Sequence, residues 1–298
     1  MAFTAKDVMV LREKTGAGVM DCKKALTDTD GDMGKATDLL RERGIAKAEK
    51  KASRIAAEGI VACYIEGSTG VLLEVNCESD FVAKNPRFTE IATEIAKVIA
   101  KENPADVNAL LGCAIEGAAN VEEYLKGQTA VIGEKIAVRR FTLYKTNGFL
   151  SSYIHLGGKL GVMLDMKGEA TDAAKEVAHE ITLQIAFTKP AYLTEEEVSA
   201  ETLEKEKEVL KQQAINEGKP EAIAEKMVMG RIKKFYEENC LLKQPFIKDD
   251  KQTVAALLKA AGNAEINRFA FYVMGEGLEK KNENLDEEVA KQVAAMKK

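Results

Sequence analysis

Gly70-Val71-Leu72-Leu73-Glu74 and Gly161-Val162-Met163-Leu164-Asp165 are one five-residue pattern written twice, each shortly after a tyrosine-isoleucine pair, Tyr64-Ile65 and Tyr153-Ile154. Tyr64 to Tyr153 is an offset of 89 and Gly70 to Gly161 one of 91, so the second copy carries a loop longer by two residues. Around the first copy, Ile60 to Ile65 and Val71 to Val75 alternate as a strand pair turned by Gly67-Ser68-Thr69-Gly70. A helix follows each copy. Asn85-Pro86 opens the first, with Ile91, Ile95, Val98 and Ile99 at helical spacing, and Val177, Ile181 and Ile185 mark the second before Lys189-Pro190. Val138 to Tyr144 alternates again as a strand. The pattern predicts an α+β fold with a duplicated core of two antiparallel-sheet-plus-helix subdomains.

On the N-terminal side, Thr4 and Asp7 make a capping-box start for a helix carrying Val8 and Leu11. Helices over Met20 to Asp28 and up to Arg43 complete a three-helix bundle, with Ala25, Leu26, Ala36, Leu39 and Leu40 inward and Gly44 as the expected stop. Such a unit is small for an independent core and is expected to lean on a partner or on the rest of the chain. Lys47, Lys50, Lys51 and Arg54 read as a basic linker, more simply a solvated face than a phosphate contact.

Between Thr194 and Leu242 the composition turns to charged helix formers, and Gly218 with Pro220 marks a stop and restart, which predicts an inserted antiparallel helical hairpin. Beyond it come a helix over Thr253 to Ala261, a strand over Asn267 to Met274 with Phe269, Phe271 and Val273 on one face, and a terminal amphipathic helix carrying Leu285, Val289, Val293 and Met296. The expected divisions are 1–53 for the bundle and linker, 54–145 and 146–263 for the two core subdomains, with the hairpin near 194–242 inside the second, and 264–298 for a C-terminal strand and helix module.

The 298 residues carry 43 Lys plus Arg against 48 Asp plus Glu, a formal charge of -5, which argues against a dedicated nucleic-acid binder. No apolar run is long enough for a membrane span and no signal-peptide core opens the chain, so a cytoplasmic location is expected. Five scattered cysteines without a Cys-x-x-Cys pair predict neither a disulfide framework nor a zinc site. Gly16-Ala17-Gly18 follows no strand and lacks a Gly-Lys-Ser/Thr ending, so it reads as an interhelical turn rather than a phosphate loop. His155 has no Ser or Cys partner at a catalytic spacing, and His179 reads as structural. The inventory points away from an enzyme, and neither a cofactor nor a metal is expected.

The most informative stretch is Glu74-Val75-Asn76-Cys77-Glu78-Ser79-Asp80-Phe81-Val82-Ala83-Lys84. It sets a large aromatic beside an acid immediately after a strand, with Ser79 placed to cap the turn that carries both. Periodicity leaves open whether Phe81 fills its own core or is aimed at a partner.

That stretch, together with Leu11 through Leu26, resembles the elongation factor Ts family, whose members release GDP from elongation factor Tu during translation. The resemblance extends over essentially the whole chain, including Ile132-Gly133-Glu134, the hairpin around His155, Gly218-Lys219-Pro220, Gln244-Pro245-Phe246 and Gly275-Glu276-Gly277. Ser79 stands where the family usually has Thr, and a capping hydroxyl remains. The resemblance implies a UBA-like N-terminal bundle that contacts the partner through Arg12, Val19, Met20 and Lys23, and a magnesium-displacing element formed by Asp80, Phe81, Val82 and Ala83. It implies support from Ile132 and Gly133, a second contact at His155, an electrostatic one at Lys51, and a C-terminal helical module returning to the partner's nucleotide-binding domain. The partner is elongation factor Tu, GDP-bound or nucleotide-free, paired one-to-one or two-to-two through a homodimer. Two other readings compete: a hydrolase or transferase built on His155, and a helical scaffold or RNA-associated ribosomal accessory protein.

Overall fold

The computed structural model describes residues 3–218 and 220–279. It is a mixed helix and sheet structure, in which three helices open the chain: α1 (Ala5–Thr15), α2 (Val19–Asp28) and α3 (Met33–Glu49). The Thr4 hydroxyl accepts from the Asp7 amide while the Asp7 carboxylate accepts from the Thr4 amide, so the capping box closes α1 in both directions. Gly16 adopts the left-handed conformation at the end of α1 and Gly18 opens α2, as expected of an interhelical turn. Val8, Leu11, Cys22, Ala25, Leu26 and Ala36 form the small core, and Phe3, Met33, Leu39 and Leu40 pack against it.

Gly44 does not end α3, which continues to Glu49. Its role is spacing: a Cβ built there would lie 3.0 Å from the Ala130 Cβ. Glycine in a helix interior costs roughly 1 kcal/mol against alanine, a cost offset here by the close approach of α3 to the helix that carries Ala130. The basic residues lie largely on the surface, in keeping with a solvated face, although α3 runs on through Lys47. Lys47 lies on α3 and pairs with Asp21 at 3.0 Å, the Lys51 ammonium donates to the Gly133 carbonyl, and Arg54 pairs with Glu78 at 3.2 Å. Partners distant in sequence hold these cations, which a run of charges cannot reveal.

The middle of the chain forms β1 (Glu58–Glu66), β2 (Thr69–Cys77), α4 (Asp80–Ala83), α5 (Pro86–Glu102), α6 (Val107–Leu111), α7 (Val121–Ile132) and β3 (Ala137–Lys145). The strands make a sheet in the order β1-β2-β3. Asn85 caps α5 through the Arg87 amide with Pro86 in its first turn, and the expected face is buried, with Phe88 added to Ile91, Ile95, Val98 and Ile99. α7 is the helix that receives Gly44, through Ala130.

The remaining elements are β4 (Phe149–His155), β5 (Leu160–Lys167), α8 (Asp172–Thr188), α9 (Ala200–Asn216), α10 (Glu221–Asn239), β6 (Pro245–Phe246), β7 (Asp249–Thr253), α11 (Val254–Ala260) and β8 (Glu265–Val273). A second three-stranded sheet has the order β4-β5-β8, both pairs antiparallel. Val162, Leu164 and Met166 of β5 pack with Ala178, Ile181 and Ile185 of α8, and Phe269, Phe271 and Val273 close the same cluster from β8. α9 and α10 pack together as the expected hairpin. The terminal helix expected around Leu285, Val289, Val293 and Met296 lies outside the described residues.

By contact density the described chain divides into two compact units, one from 3–60, 73–141 and 274–279 and the other from 61–72 and 142–273.

Candidate functional site

β2 carries eight buried residues in succession, Gly70 to Cys77, so its end is anchored. Near that end the buried Glu74 carboxylate accepts from Arg139 Nη1 at 3.0 Å, Arg140 Nε at 2.7 Å and the Gly275 amide at 2.8 Å. Burial alone would raise the pKa of this carboxyl. The Gly275 amide and the two guanidiniums outweigh that effect and hold it below its ordinary value. Buried ionised groups persist only when paired this fully.

The chain then leaves the strand through Glu78 and Ser79 into the single turn α4. Ser79 is the N-cap, its Oγ accepting from the Val82 amide at 3.3 Å. Asp80 stands in the first helical position, favourable for an acid, and pairs with Lys84 at 2.6 Å. Phe81 is 83% exposed. Leaving a phenylalanine in water forgoes roughly 1.5–3 kcal/mol of burial free energy. Val82 is half-buried and Ala83 buried, so these two shape the turn from beneath while Phe81 projects.

Residues from the end of α7 reinforce the turn. Gly133, with φ +90°, caps α7 in the left-handed region and turns the chain. Glu134 follows. Its carboxylate accepts from the Ser79 amide at 2.8 Å, the Glu78 amide at 3.1 Å and the Ser79 hydroxyl at 2.6 Å. In return, the Glu78 carboxylate accepts from the Lys135 amide at 2.7 Å and from Arg54. The resemblance gave Ile132 and Gly133 a supporting role, while Glu134, Glu78 and Arg54 were named without one. The signal was faint, because Ser79 and Glu134 are 55 residues apart and nothing local marks them as partners.

Of the other expected contact residues, Arg12 on α1 and Val19, Met20 and Lys23 on α2 are all exposed, Met20 at 72%. They share the compact unit of the Ser79 turn. Ile132 is half-buried at the end of α7, and Lys51 is tied to Gly133. His155 belongs to the other unit, at the exposed end of β4, where its Nδ1 and the Tyr153 hydroxyl are 2.7 Å apart. His179 is exposed rather than part of a core, and its ring meets the Tyr153 ring edge-on.

Among the described residues no group of three or more His, Cys, Asp or Glu side chains is arranged to hold a metal ion. Among them, too, no helix is long and apolar enough to cross a membrane. The turn thus carries an exposed aromatic beside an acid, on a cap braced from another segment of the chain.

Comparison with known proteins adds a family-level finding. Residues 78–276 match the family model described as "Elongation factor TS". The chain is 48% identical over 300 residues to "Elongation factor Ts" of Clostridium botulinum (strain Alaska E43 / Type E3), covering 98% of this chain and 99% of that protein. It is 49% identical over 298 residues to the protein of the same name from Clostridium perfringens (strain ATCC 13124), covering 97% of this chain and 98% of that one.

Proposed function

The chain belongs to the elongation factor Ts family, and from that premise we propose how it works. It is a guanine nucleotide exchange factor that promotes GDP release from elongation factor Tu during translation elongation. No covalent bond has to be made or broken. A factor that binds the nucleotide-free partner more tightly than the GDP-bound one weakens GDP binding by the same ratio, because the coupling is reciprocal.

Asp80 and Phe81 are the working element of this reading. Phe81 enters the partner as an apolar wedge, and Asp80 exchanges its pairing with Lys84 for polar contacts there. Together they disturb the partner's magnesium site, which removes counter-charge from the phosphates of GDP. Val82 and Ala83 give the turn its shape, with Ile132 and Gly133 bracing it. Arg12, Val19, Met20 and Lys23 make a first contact, His155 a separate one, and Lys51 an electrostatic one. The finer architecture belongs to the same reading: a UBA-like bundle and linker over 1–53, two related core subdomains over 54–145 and 146–263, and a C-terminal module over 264–298. We place the protein in the cytoplasm, paired with elongation factor Tu one-to-one or, through a homodimer, two-to-two.

The observation that carries this reading is the exposure of Phe81 on a turn whose capping residue is itself fully hydrogen-bonded. Adding the protein to elongation factor Tu loaded with labelled GDP is expected to accelerate release several-fold or more, and excess magnesium to oppose it. Binding without faster release would contradict it and favour a scaffold.

A further inference from the structure

The turn that displays Asp80 and Phe81 is too short to hold its own shape. A single helical turn fixes several backbone dihedrals for few hydrogen bonds and is unstable in isolation, yet α4 stands at the end of a buried strand with its cap engaged. Glu134 supplies the missing constraint. One carboxylate oxygen accepts from the Glu78 and Ser79 amides, while the other accepts the Ser79 hydroxyl hydrogen at 2.6 Å. With its hydrogen committed to Glu134, the Ser79 oxygen turns a lone pair toward the Val82 amide, which is the cap of α4.

The brace is two-way. Glu78, the residue before Ser79, returns a carboxylate to the Lys135 amide and to Arg54. Lys135 Nζ donates to the Arg54 carbonyl at 3.0 Å. The segment after α7, the segment after α3 and the turn after β2 are thereby tied together by charge-assisted bonds, about twice as strong as neutral ones.

We propose that Glu134 is the positioning residue of the exchange turn, acting through Ser79 to hold Asp80 and Phe81 in the geometry that disturbs the partner, with the Arg54–Glu78 pair locking the same clamp from its exposed side. This rests on the reading of Asp80 and Phe81 as the exchange element. In this role Glu134 works through its bonds to Ser79 and Glu78 and not by contact with nucleotide or partner. Its substitution by glutamine keeps the size of the side chain but removes an acceptor and sets an N–H group against the Ser79 donors.

The test is a double-mutant cycle on the maximal rate of labelled GDP release from elongation factor Tu at saturating factor, with thermal midpoints alongside. Glu134→Gln is expected to lower the maximal rate about tenfold or more, since small misplacements of a working group carry large kinetic penalties. In the Phe81→Ala background the same substitution is expected to change the rate by less than about twofold, the non-additivity of residues acting through one element. An equal loss in both backgrounds would mean a general structural effect and overturn the proposal. So would an unchanged rate in Glu134→Gln when Phe81→Ala slows release. If Phe81→Ala alone leaves release unchanged, the exchange-turn reading itself fails and takes the proposal with it. Should Glu134→Gln not fold, Arg54→Met run through the same cycle decides: coupling to Phe81 supports the clamp and additivity overturns it.

Discussion

Between β2 and α5 the chain takes eight residues, 78–85, whereas between β5 and α8 it takes four, 168–171. Both junctions follow a buried strand whose carboxylate meets arginine. Glu74 is held by Arg139, Arg140 and the Gly275 amide, and Asp165 by Arg268 at 3.0 Å and Asn267 at 2.9 Å. Both lead to a capped helix, through Asn85 in one case and Thr171 in the other. The second junction is minimal: Gly168 reverses the chain at φ +84° and Thr171 caps α8. The first adds a helical turn, an exposed phenylalanine and a carboxylate from another segment to hold it. A strand-to-helix connection can be made in the short form, so the added residues are not required by the connection itself.

The largest effect is expected from removing that difference. Replacing residues 78–85 with a four-residue connection built like 168–171 should abolish acceleration of GDP release while leaving the circular dichroism of the folded protein in place. Retained exchange in this variant would break the comparison and move the working element elsewhere.

The long junction shows both what local sequence reveals and what it hides. Ser79 as a cap, Asn85-Pro86 as a helix start and the inward face of α5 follow from local spacing, and all three stand in the structure. The exposure of Phe81 does not, since an aromatic after a strand has the same local signature whether it points in or out. Glu134 was hidden for the same reason as the Ala130 contact of Gly44: each depends on a partner brought close only by the tertiary fold. The strand around Phe269 was legible by its alternation, but its pairing with β5 joins residues about a hundred positions apart.

A smaller effect separates the two buried carboxylates. Removing Glu74 takes an acceptor from two guanidiniums, the Gly275 amide and the Asn76 side-chain amide, whereas removing Asp165 takes one from a single guanidinium and one side-chain amide. Breaking a buried pair typically costs about 3–5 kcal/mol, and Glu74→Ala is expected in that range by denaturant unfolding, with Asp165→Ala below it. The reverse order would show that the second sheet, not the first, depends more on its buried charge.

Smaller again is the pH effect, and its sign is fixed. The Glu74 carboxyl is held below its ordinary value near 4.5 when folded, so its contribution is complete above that value and fades as the pH falls through the lowered one. Stability of the wild-type protein should therefore decline more steeply below about pH 4.5 than that of Glu74→Gln, which has no proton to take up. Parallel acid profiles for the two proteins would contradict this assignment.

On the proposed reading Phe81 is displayed for a partner rather than packed for the fold. The direct measurement is the rate of labelled GDP release from elongation factor Tu with wild-type and Phe81→Ala protein, read beside the thermal midpoint of each protein alone. A core phenylalanine cut to alanine costs about 3–5 kcal/mol, while an exposed one costs little. Slowed release with an unchanged midpoint is expected. A midpoint lowered by many degrees, with release reduced only in proportion to the folded protein lost, would contradict it.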